Sequence, residues 1–245
     1  MDIFLIIIQA VGAISFTVSA TIYAIHKRAD VIGALIFSLL TCFGGGFIRD
    51  LSIGNIPPKI LSDKTLICIA AIAIVVSAVC YHLGFIKRVA KYADRHQHSF
   101  LIEFTDALGL ASFVISGLEV AIECGKTGFV ILVFSGCITG VGGGILRDIC
   151  SATIPAVFRK HIYLIPVIIA SSFFVLTYKH INEVLCIILT MGIVIVIRML
   201  AFKFKWNLPI PKPSEENEEE NVSKELQHKE NPEPHISVRG PLVKK

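Results

Sequence analysis

Two stretches of the chain, residues 43–57 (FGGGFIRDLSIGNIP) and 141–155 (VGGGILRDICSATIP), share the pattern GGG-x-x-R-D-x5-I-P. The likeness extends well beyond them. A shift of 97 positions lays AVGAISFTVSA (residues 10–20) on ALGLASFVISG (residues 107–117), so that Gly12 meets Gly109, Ser15 meets Ser112, Phe16 meets Phe113 and Ser19 meets Ser116. Phe37-Ser38 then falls on Phe134-Ser135, and after a one-residue insertion Thr41 falls on Thr139. Self-similarity of this length marks an internal duplication, which must be recognised before any fold is assigned.

The duplicated material is apolar in blocks of the length needed to cross a ~30 Å hydrocarbon core. Seven spans are expected, over residues 3–25, 31–48, 65–85, 100–122, 128–146, 163–178 and 184–202. The first is no signal peptide: it lacks a basic start, exceeds the usual apolar length and has a counterpart later in the chain. Each repeat holds three spans. Three is odd, so the second copy enters the membrane upside down relative to the first, an arrangement that recurs in proteins moving solutes through a site near the midplane. The expected fold is therefore an all-α membrane protein with two inverted three-helix repeats and a seventh helix. Its units are residues 1–86, a basic cytoplasmic linker at 87–99, the second repeat at 100–180, the seventh helix at 181–206 and a tail at 207–245. Lys and Arg in the short loops fall ten to one side and four to the other, which puts the N-terminus outside and the C-terminus in the cytoplasm. The tail carries eight of the 19 acidic residues behind alternating prolines and is expected to be disordered.

Within a helix each glycine is worse than alanine by about 1 kcal/mol. Two readings explain why Gly44, Gly45, Gly46 and Gly142, Gly143, Gly144 are nonetheless present. Small residues let helices approach closely. Alternatively the triplets bend or unwind the span, freeing backbone groups that membranes tolerate only against protein or a wet cavity. Glycines at adjacent positions point in three directions rather than along one face, which favours the second reading. Thr41, Thr139, Ser15 and Ser112 would add oxygen dipoles to carbonyls bared there. The GVGGGI stretch is no dinucleotide-binding loop, since that fingerprint must follow a strand and open a helix.

Charges accompany the glycines. Arg49-Asp50 and Arg147-Asp148 follow the triplets closely, and the Asp residues lie near enough to the span ends to reach the interface. Neighbours i and i+1 diverge on a helix, so each Arg is expected to find its partner on another span. Depth suggests Asp106 for Arg147 and Glu119 for Arg49, with Glu103 interfacial. Ionisable groups at these depths are functional hypotheses by default. The seven cysteines show no ligand spacing and read as small apolar residues; His96 and His98 read as part of a solvated loop. No metal, cofactor or nucleic-acid partner is expected, and no nucleophile or acid–base constellation points to an enzyme.

The doubled GGG-x-x-R-D segments, the SF-x-x-S pattern in the first helix of each repeat, DALGL (residues 106–110) and the lone seventh helix resemble the trimeric intracellular cation (TRIC) channels in their bacterial and archaeal form. The resemblance covers residues 3–202. It implies a homotrimer in a prokaryotic inner membrane, in contact with lipid. Each protomer would have its own pore for K⁺, with Na⁺ poorly rejected, lined by the glycine-kinked second and fifth spans. Animal members carry a basic lipid-contacting motif where this chain has glycine, so phosphoinositide regulation is not implied. Some bacterial relatives are linked to uptake of small amino acids such as glycine, which keeps a secondary transporter open as the alternative.

Overall fold

The computed structural model describes residues 2–82, 100–159, 163–204 and 206. The linker at 87–99, with His96 and His98, and the tail at 207–245 lie outside the described residues. Nine helices are described: α1 (Asp2–His26), α2 (Val31–Ile53), α3 (Lys59–Ser62), α4 (Lys64–His82), α5 (Phe100–Glu123), α6 (Phe129–Cys150), α7 (Ala156–Arg159), α8 (Leu164–Thr177) and α9 (Glu183–Phe204). α1, α2, α5, α6 and α9 are long and apolar enough to cross a bilayer, and α4 and α8 are shorter apolar helices. With 14 residues, α8 extends only about 21 Å at 1.5 Å per residue.

Helix ends follow local chemistry. Asp30 caps α2 by accepting from the Gly33 amide at 2.7 Å. Gly54 ends the same helix in the left-handed region, φ 75°, with its amide turned back onto the last carbonyls. Asn182 opens α9 by accepting from the amides of Val184 and Leu185. The sequence expectation placed the ends of the second and fifth spans at residues 48 and 146. Both helices continue one turn or more beyond, because the Arg-Asp pairs are buried rather than interfacial and the chain can stay helical past them.

The repeats pack onto each other through equivalent positions. α1 lies on α5 and α2 on α6, with α4 against α1 and α2, and α8 against α6. The Phe16 and Phe113 rings, one from each repeat, stack with centroids 5.2 Å apart. A Cβ on Gly109 would enter the Phe16 ring, and one on Gly12 would lie 2.7 Å from the Ser112 Cβ. α5 is the enclosed centre, burying Ala107, Leu110, Ala111, Val114, Ile115, Leu118 and Ala121. α9 stands outside the repeat pair and packs on α5 and α8.

Lipid is as apolar as leucine, so such a bundle is held by close packing and interhelical hydrogen bonds rather than by expulsion of water. One knot of hydroxyls joins three helices: Thr21 of α1, Ser38 of α2 and Ser77 of α4 lie within 3.4 Å of one another, all buried. Large apolar side chains such as Ile3, Ile32, Val75, Val130 and Ile188 stay exposed on the outside, as a lipid-facing surface requires.

Candidate functional site: the glycine crossing and the inner charged cavity

The glycine triplets do not unwind their helices. α2 and α6 run as continuous α-helix through Gly44–Gly46 and Gly142–Gly144. Close approach is the reason for the first two glycines of each triplet. A Cβ on Gly45 would collide with the Thr139 carbonyl oxygen, and one on Gly143 with the Thr41 carbonyl oxygen. A Cβ on Gly142 would lie 3.1 Å from the Gly45 Cα, and one on Gly44 3.5 Å from the Gly143 Cα. As the contact point moves up one helix it moves down the other, so α2 and α6 cross antiparallel, backbone on backbone. The third glycines differ: Gly46 meets only the Arg49 guanidinium, at 3.7 Å, and Gly144 meets nothing within 4 Å. Adjacent glycines thus serve two purposes at once, which a one-face packing rule misses.

Thr41 and Thr139 lie at this crossing, but their hydroxyls bond their own helices, to the Phe37 and Ser135 carbonyls at 2.6 and 2.7 Å. Ser15 is buried on α1, and Ser112 packs at the α1–α5 contact with its hydroxyl on the Leu108 carbonyl.

The Arg-Asp pairs overturn the expectation of partners on other spans. Arg49 gives Nε and Nη2 to Asp50 Oδ1 at 2.9 and 2.7 Å, and Arg147 does the same to Asp148 Oδ1 at 2.9 and 2.8 Å. Near the end of a helix a long guanidinium can fold back onto its neighbour, a reach that backbone directions alone do not reveal. The second carboxylate oxygen explains the rest of the motif. Asp50 Oδ2 accepts from the Lys59 amide at 2.8 Å, and Asp148 Oδ2 from the Ala156 amide at 2.7 Å. Each Asp thereby ties the short helix after Ile-Pro back to its span, so R-D-x5-I-P is a closed structural unit made twice. Its burial is nearly complete: Arg49, Asp50, Arg147 and Asp148 are 3%, 1%, 7% and 3% exposed.

The two units are not equivalent around their third arm. Arg49 Nη1 reaches Thr139 Oγ1 at 3.5 Å. The Arg147 guanidinium lies instead 4.3 Å over the Tyr23 ring, and that ring is pinned by hydrogen bonds between its hydroxyl and the hydroxyls of Ser151 and Thr153. Beyond it opens a cavity of about 240 Å³ walled by α1, α5, α6, α9 and the α7–α8 region. Ser19, Tyr23 and His26 line one side; Glu103, Asp106, Arg147, Tyr163 and Arg198 bring five polar or charged groups to the others.

Arg198, on the seventh helix, organises this cavity and takes the role foreseen for Arg147. Its Nη2 bonds Glu103 Oε2 and Asp106 Oδ2, both at 2.9 Å, and its guanidinium lies 4.1 Å over Tyr163, whose hydroxyl donates to Asp106 Oδ2. Asp106 and Arg147 therefore share a cavity, while the direct partner of Asp106 is Arg198. Glu103 is an ion-paired wall residue and not merely interfacial. Glu119 is buried on α5 but about 20 Å along the helix from Asp106, and Arg49 is engaged by Asp50 and Thr139 instead. Arg198 was legible as the single charge in the interior of an apolar span; reading the seventh helix as an addition outside the repeat hid it. Tyr23 and Tyr163 carried no such signal.

Two inverted repeats of apolar helices, with a charged cavity walled by α1, α5, α6 and α9, define a polytopic membrane protein of the solute-translocating class. A family described as glycine transporter matches residues 6–82 and 103–179, once per repeat, and the chain belongs to it. The chain is 33% identical over 156 residues to the inner membrane protein YadS of Escherichia coli, covering 64% of this chain and 70% of that protein. It is 31% identical over 159 residues to the membrane protein YvgT of Bacillus subtilis, covering 65% and 73%. A membrane protein of Deinococcus radiodurans is 32% identical over 153 residues, 62% of this chain and 66% of the relative. Among solved structures, a TRIC cation channel studied for its conductance superimposes with a TM-score of 0.72 at 29% identity, over 85% of this chain and 97% of that one. The TRIC orthologue of Rhodobacter sphaeroides gives 0.71 at 25%, over 82% and 98%. The resemblance noted in the sequence is thus a shared fold. The family is one of transport proteins, so the chain is not an enzyme; among the described residues no three His, Cys, Asp or Glu side chains cluster to hold a metal ion.

Proposed function

We propose that the chain forms a conduit for small monovalent cations, K⁺ foremost, with a path through each protomer of a homotrimer in a bacterial inner membrane. The observation that carries this reading is the charged hollow at one end of the helix bundle, walled by Glu103, Asp106, Arg147 and Arg198. The likeness to TRIC cation channels supports the choice of solute and the trimer. With the N-terminus outside, the hollow opens toward the cytoplasm. Its carboxylates attract cations, and in this reading the path is closed at the α2–α6 crossing. Opening requires the two helices to slide or part at Gly45 and Gly143, a movement that smooth glycine surfaces permit. Of the third glycines, Gly144 has open space beside it, with room for a passing ion. Discrimination between K⁺ and Na⁺ is weak in this reading, because among the described residues no ring of carbonyls is fixed in place to replace the hydration shell.

A second reading is favoured by the family to which the chain belongs and by the presence of both signs of charge in one cavity: a carrier for a small amino acid such as glycine. Purified protein in a planar bilayer separates the two. Unitary K⁺ currents support the conduit; an electrically silent bilayer, with saturable glycine uptake into proteoliposomes of the same preparation, overturns it in favour of the carrier.

A further inference from the structure

We propose that Tyr23 is a gate of the inner cavity, separate from the α2–α6 crossing: latched to Ser151 and Thr153 it divides that cavity from a second hollow, and its release joins the two. The proposal deepens the conduit reading and rests on it, since a gate presupposes a path. The second hollow, of about 300 Å³, is bordered by Lys27, Asp148, Thr153 and Ile154. Three residues line both spaces and so form the wall between them: Tyr23, Arg147 and Ala156.

Two of the three cannot move alone. Arg147 is held by two bonds to Asp148 Oδ1, and the Ala156 amide by one to Asp148 Oδ2, so both belong to the closed R-D-x5-I-P unit. Tyr23 comes from α1 and is held to that unit by its side chain. Its hydroxyl lies 2.6 Å from Ser151 Oγ and 2.9 Å from Thr153 Oγ1. Its ring carries the Arg147 guanidinium of α6 at 4.3 Å and meets Phe37 of α2 edge to face, with centroids 5.9 Å apart. The latch therefore touches both helices of the glycine crossing. Release costs little. Ser151 and Thr153 lie 2.9 Å from each other and both reach the Asp148 carbonyl oxygen, so neither is orphaned when the tyrosine leaves. Hydrogen bonds between neutral hydroxyls have a small net worth where water replaces them, and a side-chain turn is a faster movement than a helix displacement.

The duplication supplies an internal control. Under the repeat Tyr23 corresponds to Val120, Ser151 to Ile53 and Thr153 to Asn55. Val120 and Ile53 are buried apolar side chains, and Asn55 gives its amide to Asp50. The first copy of R-D-x5-I-P thus closes without a pair of hydroxyls after its span. Closing the unit does not explain Ser151 and Thr153; holding Tyr23 does. The latch exists at the end of the bundle that has the charged cavity.

The test places a cysteine at Ser19, four residues back along α1 and lining the inner cavity, in the full chain with Cys68 and Cys150 replaced by serine. Nanodiscs expose both faces, so the result does not depend on orientation. Modification by a small cationic methanethiosulfonate is followed above the rate of the same protein without the added cysteine. Removing the latch from either side, by Tyr23→Phe or by Ser151→Ala with Thr153→Val, should speed modification roughly fivefold or more. The triple variant should be no faster than either, because both changes break one contact. Two chemically distinct variants keep the comparison intact if one of them harms folding. The gate is overturned if Ser19→Cys reacts as fast with the latch intact as without it, or if the two effects multiply in the triple variant, as independent loosening would. Planar-bilayer recordings separate this failure from failure of the conduit reading. Faster labelling in a protein that is electrically silent removes the conduit and keeps the gate; K⁺ currents with labelling unmoved by either variant keep the conduit and remove the gate.

Discussion

At the scale of single residues, the Arg-Asp pairs are the most demanding feature of the chain. Each is buried in the membrane, and each Asp does two jobs, neutralising its Arg through Oδ1 and tying down the following short helix through Oδ2. Breaking a buried pair by removing one charge costs about 3–5 kcal/mol, whereas replacing both partners by neutral groups is far milder. Asp148→Asn keeps an oxygen for the Ala156 amide and strands the guanidinium, so it should lower the melting temperature in detergent sharply. The double variant Arg147→Met with Asp148→Asn should recover much of that loss in the same melting assay. A single variant no less stable than the double would show that charge burial is not what the pair resolves. Arg198 invites a different measurement. Arg198→Gln removes the guanidinium that Glu103 and Asp106 share, so under the conduit reading single-channel K⁺ conductance should rise at 0.1 M salt. The gain should shrink at 1 M, where the Debye length falls from about 10 Å to about 3 Å.

At the scale of elements, the α2–α6 crossing sets what can move. Gly143→Ala drives a methyl group into the Thr41 carbonyl and should either separate the helices or cost most of the folded yield in fluorescence-detected size-exclusion chromatography. Gly144→Ala, one residue on, meets open space. It should be neutral, or stabilising by up to about 1 kcal/mol through helix propensity alone. Equal tolerance at both positions would remove the close-approach account. The triplet was visible in the sequence, but its purpose was not. Counting directions on one helix favoured an unwound backbone, because the partner helix that fills two of those directions comes from the other repeat, about a hundred positions away.

At the scale of the whole molecule, the inverted repeats make both ends of the bundle alike in backbone and unlike in chemistry. The α5 end with Asp106, together with α9, turns one of two equivalent places into a charged cavity. Orientation in the membrane decides which compartment that cavity faces. With Cys68 and Cys150 replaced by serine, Lys126→Cys should react with an impermeant maleimide added outside intact cells, and Lys203→Cys only after the inner face is opened. The reverse pattern would turn the cavity outward and with it the direction of any coupled flux. The number of spans, their inversion and the family likeness could all be read from the chain, since they rest on apolar length and on repetition, both of which are properties of sequence order.

Sequence order also determined where charge would sit in depth, because 1.5 Å per residue converts position along a span into height in the membrane. It could not determine azimuth, the side of the helix on which each group would find its partner. That was decided only when α9 packed on α5: Arg198 then lay beside Asp106, and Arg147 lay over Tyr23. Lipid gives helices no preferred face through the hydrophobic effect, so the side-by-side arrangement is set by small residues and polar contacts that meet only in the assembled bundle.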